Sequence, residues 1–132
     1  MVSRITAIKA NRPKIELGPT VRMPQLVEHI AGRTGLNTGE VLLMAYELRD
    51  ALTLFLSMGQ PIQVEGVGTF TPDVRPDGEF YVHFLPFVDL KRALNVPDAF
   101  HGRLRNRQNI GKSSHELVDQ WNEEHPDDPV MD

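Results

Sequence analysis

Apolar and polar positions follow two different periods along this chain, and the change of period separates helices from strands. Between residues 41 and 56 apolar residues recur three or four positions apart, which predicts an amphipathic helix of about twenty residues. Asn37 and Glu40 precede it with the spacing of a capping box, and Gly59 is the expected C-terminal stop. A shorter apolar stripe that begins after Pro24 predicts another helix before it.

Strand-type alternation follows the long helix. Three runs rich in β-branched and aromatic residues occupy residues 61–64, 67–71 and 79–85. Arg75-Pro-Asp-Gly78 separates the last two runs and has the composition of a hairpin turn. The apolar positions after Pro86 predict a short third helix. Together these elements predict an α+β fold with two helices, a three-stranded antiparallel meander with a short hairpin, and a third helix.

The segments on either side of this domain differ from it in composition. Residues 4–10 have strand-type composition, so we predict a strand-like N-terminal extension over residues 1–20 and a folded domain over residues 21–96. Residues 97–132 form a C-terminal extension with a final helical stretch from Ser113. The apolar side chains of this stretch either dock it on a folded part or belong to an exposed tail. They are Leu117, Val118 and Trp121.

The apolar stripe of the long helix is wider than one small sheet can cover. Two hypotheses account for the excess: a large core within one subunit, or a seam against a second copy of the chain. We favour the dimer, because exposed apolar patches of this kind usually mark an interface. The residues predicted to lie in that interface are Leu42, Tyr46, Leu48, Leu52, Phe55 and Phe70.

Charge is uneven along the chain, and this narrows the classes of partner. The 132 residues include 14 Lys and Arg against 18 Asp and Glu, for a net charge of −4. Residues 1–96 are neutral overall, so the acidic excess lies in residues 97–132. A weakly acidic total argues against strong binding to a polyanion through net charge alone. The absence of cysteine excludes disulfides and thiolate metal sites and fits a reducing compartment.

One basic cluster lies in the C-terminal extension. Arg103, Arg105 and Arg107 occupy alternate positions, so an extended backbone would project them to one side, toward successive phosphates. Lys112 completes the cluster, and an acidic stretch follows it. A second interpretation therefore stays open, in which the cluster is a solvated linker that the acidic stretch neutralises.

Other motifs do not support catalysis. Gly111-Lys112-Ser113 resembles the end of a phosphate loop, but Asn106 occupies the position of the required first glycine. The five histidines lack metal-ligand spacing, and no Ser–His–Asp arrangement with a strained turn is present. No apolar run predicts a membrane span or a secretory signal. The sequence therefore predicts no enzyme, no metal, no cofactor and no small-molecule substrate.

From Met23 to Leu94 the chain resembles the HU/IHF family of bacterial histone-like DNA-binding proteins. The resemblance rests on the helix pair, on the glycine-containing turn Gly66-Val-Gly-Thr-Phe70 after it, and on the basic third helix. It implies an intertwined homodimer, in which the long helices pack together under paired sheets. It also implies binding to DNA in the nucleoid of the bacterial cytoplasm.

The resemblance implies phosphate contacts as well, from Arg75 on the hairpin and from Lys91 and Arg92 on the third helix. Lys91 and Arg92 have an alternative interpretation as the solvated face of that helix. The N-terminal amides of the helices are further possible phosphate contacts. The basic cluster is a candidate replacement for the long DNA-binding arm that members of this family carry and this chain lacks. That assignment rests on charge alone and is not implied by the resemblance.

The predicted hairpin departs from the family pattern. Family members bend DNA with two long basic β-ribbon arms, each of which inserts a proline between base steps. Only residues 71–83 are available for an arm here, enough for a tight hairpin. Acidic side chains also stand where cations would be expected, at Asp73, Asp77 and Glu79. We therefore do not expect this chain to wrap and kink DNA in the manner of the family.

Two functions remain for such a chain. The first is a homodimer that binds duplex DNA weakly, with little sequence preference, through the phosphate backbone. The second is a protein-interaction or assembly module that has kept the fold and lost DNA bending. The salt dependence of DNA binding separates the two, because phosphate contacts release counterions and their number sets the slope.

Overall fold

The computed structural model describes residues 1–131 and divides them into two compact units. Thr20–Phe100 form the central unit, and Met1–Pro19 with the chain from His101 onward form the chain-end unit. The helices are α1 (Arg4–Asn11), α2 (Met23–Thr34), α3 (Thr38–Ser57), α4 (Val88–Asn95) and α5 (Ser114–Glu124). The strands are β1 (Lys14–Glu16), β2 (Ile62–Val64), β3 (Gly68–Val74), β4 (Phe80–Pro86) and β5 (Arg103–Arg105). Within residues 1–131, no helix has both the length and the apolar character needed to cross a bilayer.

Local sequence signals explain the helix pair of the central unit. Pro24 lies in the first turn of α2, and Gly35 ends that helix in the left-handed conformation, with φ of +80°. The Asn37 side chain accepts a hydrogen bond from the Glu40 amide at 2.8 Å and so caps α3. The Glu40 carboxylate accepts from the side-chain amide of Asn37, also at 2.8 Å, instead of from its backbone. The long predicted helix is confirmed. Its predicted capping box differs in one bond, because Glu40 bonds the side chain of Asn37 and not its backbone amide.

The predicted meander is also confirmed, as an antiparallel sheet in the order β2-β3-β4. Its hairpin closes where the Gly78 amide donates to the Arg75 carbonyl at 2.8 Å. The register places Phe70 opposite Phe84, with their ring centroids 4.7 Å apart. Directly opposed residues share a face of the sheet, so one face of the hairpin is wholly apolar. That face consists of Phe70, Pro72, Val74, Phe80, Val82 and Phe84.

Gly68 is the point of closest packing in this sheet. A Cβ at this position would lie 2.5 Å from the Leu85 carbonyl oxygen and 2.6 Å from the Phe84 ring. We therefore expect Gly68→Ala to lower the free energy of unfolding by about 3 kcal/mol, because neither backbone nor ring can move aside cheaply. Gly32→Ala is the matched control. Gly32 lies inside α2 with open space around it, so alanine should raise stability by about 0.5–1 kcal/mol.

Urea unfolding at one fixed protein concentration measures both substitutions. Equal effects of the two alanines would contradict the packing argument, because both replace a glycine and only one meets a neighbour.

The N-terminal segment is a helix, so the predicted strand over residues 4–10 is wrong. The Ser3 hydroxyl oxygen accepts from the Thr6 amide at 3.1 Å and caps α1, and Ala7 is completely buried. Packing of α1 against α5 therefore overrides the strand preference of Ile5 and Ile8. The strand of this region comes after Pro13, as β1, and pairs with β5.

Asparagine side chains from the C-terminal segment close the end of α1. The Asn106 amide donates to the carbonyl oxygens of Ala10 at 2.8 Å and Arg12 at 3.0 Å. The Asn109 amide donates to the Asn11 carbonyl at 2.7 Å, and Asn11 in turn donates to the Leu117 carbonyl at 3.1 Å. The last carbonyls of a helix have no partner within it, so these bonds complete α1 from residues about a hundred positions away and hold the two chain ends together.

The final helix is docked within the chain-end unit. Leu117 and Val118 are buried, and the Trp121 indole donates to the Asp128 carbonyl at 2.8 Å. A capping box between Ser113 and Glu116 begins α5. Leu117 and Val118 are therefore core residues of the unit, and the half-buried Trp121 is fixed by its hydrogen bond, so this stretch is not an exposed tail.

Candidate nucleic-acid interface

The cations predicted on α4 are freely accessible. Lys91 and Arg92 are exposed, and within residues 1–131 neither forms an ion pair. α4 begins at Val88 directly after the β4 strand, and its Lys91 carbonyl accepts from the Asn95 side chain at 2.8 Å. Two exposed, unpaired cations next to each other on one short helix suit contact with phosphate.

Arg75 at the hairpin turn is engaged with neighbouring side chains. Its guanidinium lies 3.5 Å from the Glu79 carboxylate and 5.0 Å from the centroid of the Tyr81 ring. The Asp77 carboxylate accepts from the Glu79 amide at 2.9 Å and shapes the turn. The one cation of the hairpin therefore already has an acidic partner and an aromatic ring beside it.

The polar face of the hairpin holds a carboxylate that stays ionised. Asp73 accepts hydrogen bonds from the Val74 amide at 2.8 Å and from the Tyr81 hydroxyl at 2.9 Å. These two bonds, the amide first, lower the pKa of Asp73 below its ordinary value. The same bond to Asp73 raises the pKa of the Tyr81 phenol. A carboxylate held in its charged form makes this face a poor surface for DNA.

The basic cluster is divided among three local structures. Arg103 and Arg105 lie on β5, whereas Arg107 begins a 3₁₀ turn at Arg107–Asn109. Lys112 lies two residues before α5, and its ammonium donates to the Gln120 side chain on that helix at 3.1 Å. Alternate positions therefore place only Arg103 and Arg105 on one face of a strand, because the backbone turns at Asn106, which has φ of +56°.

One cation of this region was missed by sequence reasoning. Lys14 lies on β1 directly opposite Arg105, and Glu16 lies opposite Arg103. The Glu16 carboxylate forms an ion pair with Arg105 at 3.3 Å. No local pattern marks Lys14, because only the pairing of β1 with β5 brings it beside the basic cluster.

The residues predicted for a dimer interface lie on α3 and β3 and stay accessible in a single chain. Tyr46 is 43% exposed, Leu48 49% and Phe55 42%. Leu42, Leu52 and Phe70 are half-buried. In the central unit the fully buried apolar side chains are those of Val27 and Val41. One copy of the chain therefore does not bury the apolar surface of its long helix.

The helix pair, the three-stranded meander and the short α4 define a histone-like α+β domain of the HU type. Comparison with protein-family models identifies the HU-HIG family, described as an HU domain fused to wHTH, Ig, or glycine-rich motif, over residues 7–80. This match covers more than half of the chain, so the chain belongs to that family.

A solved structure supports the same fold. A point mutant of HU from Thermotoga maritima matches with a TM-score of 0.50 and 24% sequence identity. The match covers 57% of this chain and 100% of the HU chain. At that identity it shows the fold alone and confirms the predicted α+β fold of the HU type. The match to the family model confirms the predicted resemblance. No curated protein sequence matched this chain.

Proposed function

We propose that the chain is a histone-like protein of the bacterial nucleoid, in the cytoplasm, that binds duplex DNA as a homodimer with little sequence preference. Membership in a family built on the HU domain supports this class of function. The observation that carries the proposal is the state of the cations. Among 14 Lys and Arg, and within residues 1–131, ion pairs with carboxylates involve Arg49, Arg75 and Arg105.

The unpaired cations suit the phosphate backbone, which carries no sequence information by itself. The proposed contacts are the unpaired Lys91, Arg92, Arg103, Arg107 and Lys112, together with Arg75 and Arg105, which would exchange their exposed carboxylate partners for phosphate. We expect no kinking of the DNA by the hairpin, because its turn is short and three acidic residues, Asp73 on β3 and Asp77 and Glu79 at the turn, lie where cations would be needed. The architecture therefore supports binding along the duplex without the wrapping that long basic arms produce.

The homodimer supplies the missing cover for the apolar face of α3. Side chains as exposed as Leu48 and Phe55 on a small domain indicate a protein interface. A two-fold dimer would bury the same patch on both copies. The proposed interface comprises Leu42, Tyr46, Leu48, Leu52, Phe55 and Phe70.

A salt series of duplex-DNA binding tests the proposal. For each phosphate contact the logarithm of affinity falls with a slope of about −0.9 against the logarithm of salt, so a fourfold rise in salt costs about 3.5-fold per contact. Replacing Arg103, Arg105 and Arg107 together with alanine should lower the Kd ratio between 200 mM and 50 mM salt by about 40-fold or more. Fluorescence anisotropy with a labelled duplex measures the ratio.

The control is Arg22→Ala with Arg33→Ala, which removes two cations outside the proposed contacts. That variant should keep the wild-type ratio of Kd values. The absence of binding by the wild-type chain at 50 mM salt would reject the proposed DNA-binding function.

The second candidate function is a protein-interaction or assembly module. The observation that favours it is the apolar face of the hairpin, where Phe80 is 83% exposed and Val82 and Val74 are also exposed. An exposed apolar face of this kind suits contact with another protein better than contact with a phosphate backbone. A wild-type chain that forms a stable dimer and shows no salt-dependent DNA binding would support this function.

A further inference from the structure

The two-stranded sheet of the chain-end unit places cations from both ends of the chain on one face. Its antiparallel register sets Lys14 opposite Arg105, Ile15 opposite Leu104 and Glu16 opposite Arg103. Directly opposed residues share a face, and successive residues alternate between faces. One face therefore carries the three cations Lys14, Arg103 and Arg105 with a single acid, Glu16. We call this face the ribbon face.

The arrangement of charges on the ribbon face is unfavourable for the isolated protein. Like charges directly opposite each other in a sheet destabilise the pairing, and Lys14 faces Arg105 in a ladder of three residue pairs. The one acid, Glu16, bonds diagonally to Arg105 at 3.3 Å. Within residues 1–131, Lys14 and Arg103 form no ion pair. One acid compensates this repulsion only in part, and such repulsion in a short sheet is typical of a surface that serves binding at some cost in stability.

The acidic side chains of the C-terminal segment do not neutralise this face. The Glu116 carboxylate accepts from the Ser113 amide at 3.3 Å, and Asp119 lies 3.4 Å from the His115 ring. Glu124 accepts from the Gln120 side chain at 2.9 Å. Asp128 forms an ion pair with the amino group of Met1. Each of these carboxylates has a partner near α5 or at the chain end, and within residues 1–131 neither Glu123 nor Asp127 forms an ion pair with a cation of the ribbon face. The described part of the acidic stretch therefore leaves the ribbon face available.

Hydrogen bonds from two asparagine side chains to backbone carbonyls hold the two strands in this register. Asn106, which directly follows β5, donates to the carbonyls of Ala10 and Arg12, just before β1. Asn109 anchors the next turn to the Asn11 carbonyl. These hydrogen bonds therefore fix the positions of Arg103 and Arg105 relative to Lys14.

We propose that the ribbon face is a composite phosphate-binding platform for duplex DNA, built from Lys14 of the N-terminal segment and Arg103 and Arg105 of the C-terminal segment. It deepens the proposed DNA-binding function and rests on it. Phosphate between Lys14 and Arg105 would replace their mutual repulsion by attraction to both. The platform supplies cations that the acidic hairpin of the central unit lacks, and it exists only when both chain ends are folded together.

Opposite substitutions on the ribbon face test the platform in the full-length chain. Lys14→Gln removes a platform cation from each copy, so the Kd ratio between 200 mM and 50 mM salt should fall by about 3.5-fold for each copy that contacts the duplex, as for Arg103→Gln. Glu16→Gln removes the competing acid, so affinity at 50 mM salt should rise by about twofold or more. Arg33→Gln is the control, because it deletes an exposed cation of α2 and should leave the ratio unchanged.

Thermal unfolding of the same variants separates binding from structure. Lys14→Gln relieves the like-charge pair, so its melting temperature should equal or exceed that of the wild type while its DNA affinity falls. Glu16→Gln loses the ion pair with Arg105, so its melting temperature should not rise while its affinity does. A purely structural role for these residues would move stability and affinity in the same direction.

The outcomes distinguish the platform from the general DNA-binding proposal. If the wild type binds DNA with steep salt dependence and both Lys14→Gln and Glu16→Gln bind identically to it, the platform is overturned and the DNA-binding function stands. If the wild type does not bind a labelled duplex at 50 mM salt, both proposals fall.

Discussion

Leu48→Asp and Phe55→Asp are each expected to convert the proposed dimer into monomers. Both side chains are more than two-fifths exposed in the single chain, on a helix whose apolar residues extend around most of its circumference. A second copy that covers this face would have to bury the new carboxylate without a cationic partner. An uncompensated buried charge costs about 3–5 kcal/mol, and two-fold symmetry places one on each copy. We therefore expect the dissociation constant of the dimer to rise by at least about 100-fold.

Sedimentation velocity measures this change directly. The wild-type chain should sediment at twice the 14.9 kDa chain mass, and both variants should approach the mass of one chain at micromolar concentration. Leu54→Asp is the matched control, because it introduces the same carboxylate on the same helix outside the proposed interface. Leu54 is 56% exposed and lies on the side of α3 that carries Glu47 and Asp50. A stable wild-type monomer would contradict the proposed dimer. The exposed apolar face of α3 would then have no second copy to cover it.

The fold of the central unit could be predicted from the sequence because its signals are local. The caps at Asn37 and Gly35, the apolar period of α3 and the turn at Gly78 each act within a few residues. Such signals survive in the tertiary structure when packing agrees with them. The prediction of a strand over residues 4–10, where the structure has α1, was wrong because local preference and tertiary packing disagree there. Its β-branched residues favour a strand locally, and only packing against α5 makes a helix the better solution.

The candidate site was predictable only where one segment forms it. The alternation of Arg103 and Arg105 follows from the sequence, and β5 has the extended backbone that it requires. Arg107 leaves that row because Asn106 adopts a left-handed conformation to reach the end of α1. Lys14 could not be assigned at all, since the residues that pair with β1 are separated from it by the whole central unit. Contacts between distant segments leave no period in either segment.

Asn109→Asp is expected to unfold the chain-end unit at neutral pH. The Asn109 side chain is completely buried, its amide donates to the Asn11 carbonyl at 2.7 Å, and its Oδ1 has no hydrogen-bond partner in the described structure. The substitution exchanges that amide for a carboxylate oxygen that faces a carbonyl oxygen, and no donor stabilises the charge. We expect a loss of about 3 kcal/mol or more, because a buried, unpaired charge is costly.

The pH dependence of this variant identifies the cause. Burial without a donor raises the pKa of the introduced carboxyl, because desolvation disfavours the charged form. A raised pKa in the folded state means that the group supports folding at low pH, where its neutral form can donate to the Asn11 carbonyl. That support is lost as the pH rises through the folded-state pKa. The chain-end unit of the variant should therefore recover stability as the pH falls, up to the point where other carboxylates become protonated.

Amide hydrogen exchange of α1 and α5 measures this recovery within the intact chain, since it reports the opening of one unit separately. Asn95→Asp is the control: Asn95 is exposed and donates to the Lys91 carbonyl at 2.8 Å, so the same exchange of atoms should cost about 1 kcal/mol or less. Protection of α1 and α5 equal to wild type at pH 7 would show that the asparagine bond does not hold the two chain ends together. The register of β1 and β5 would then rest on the two Asn106 hydrogen bonds and on the packing of α1 against α5.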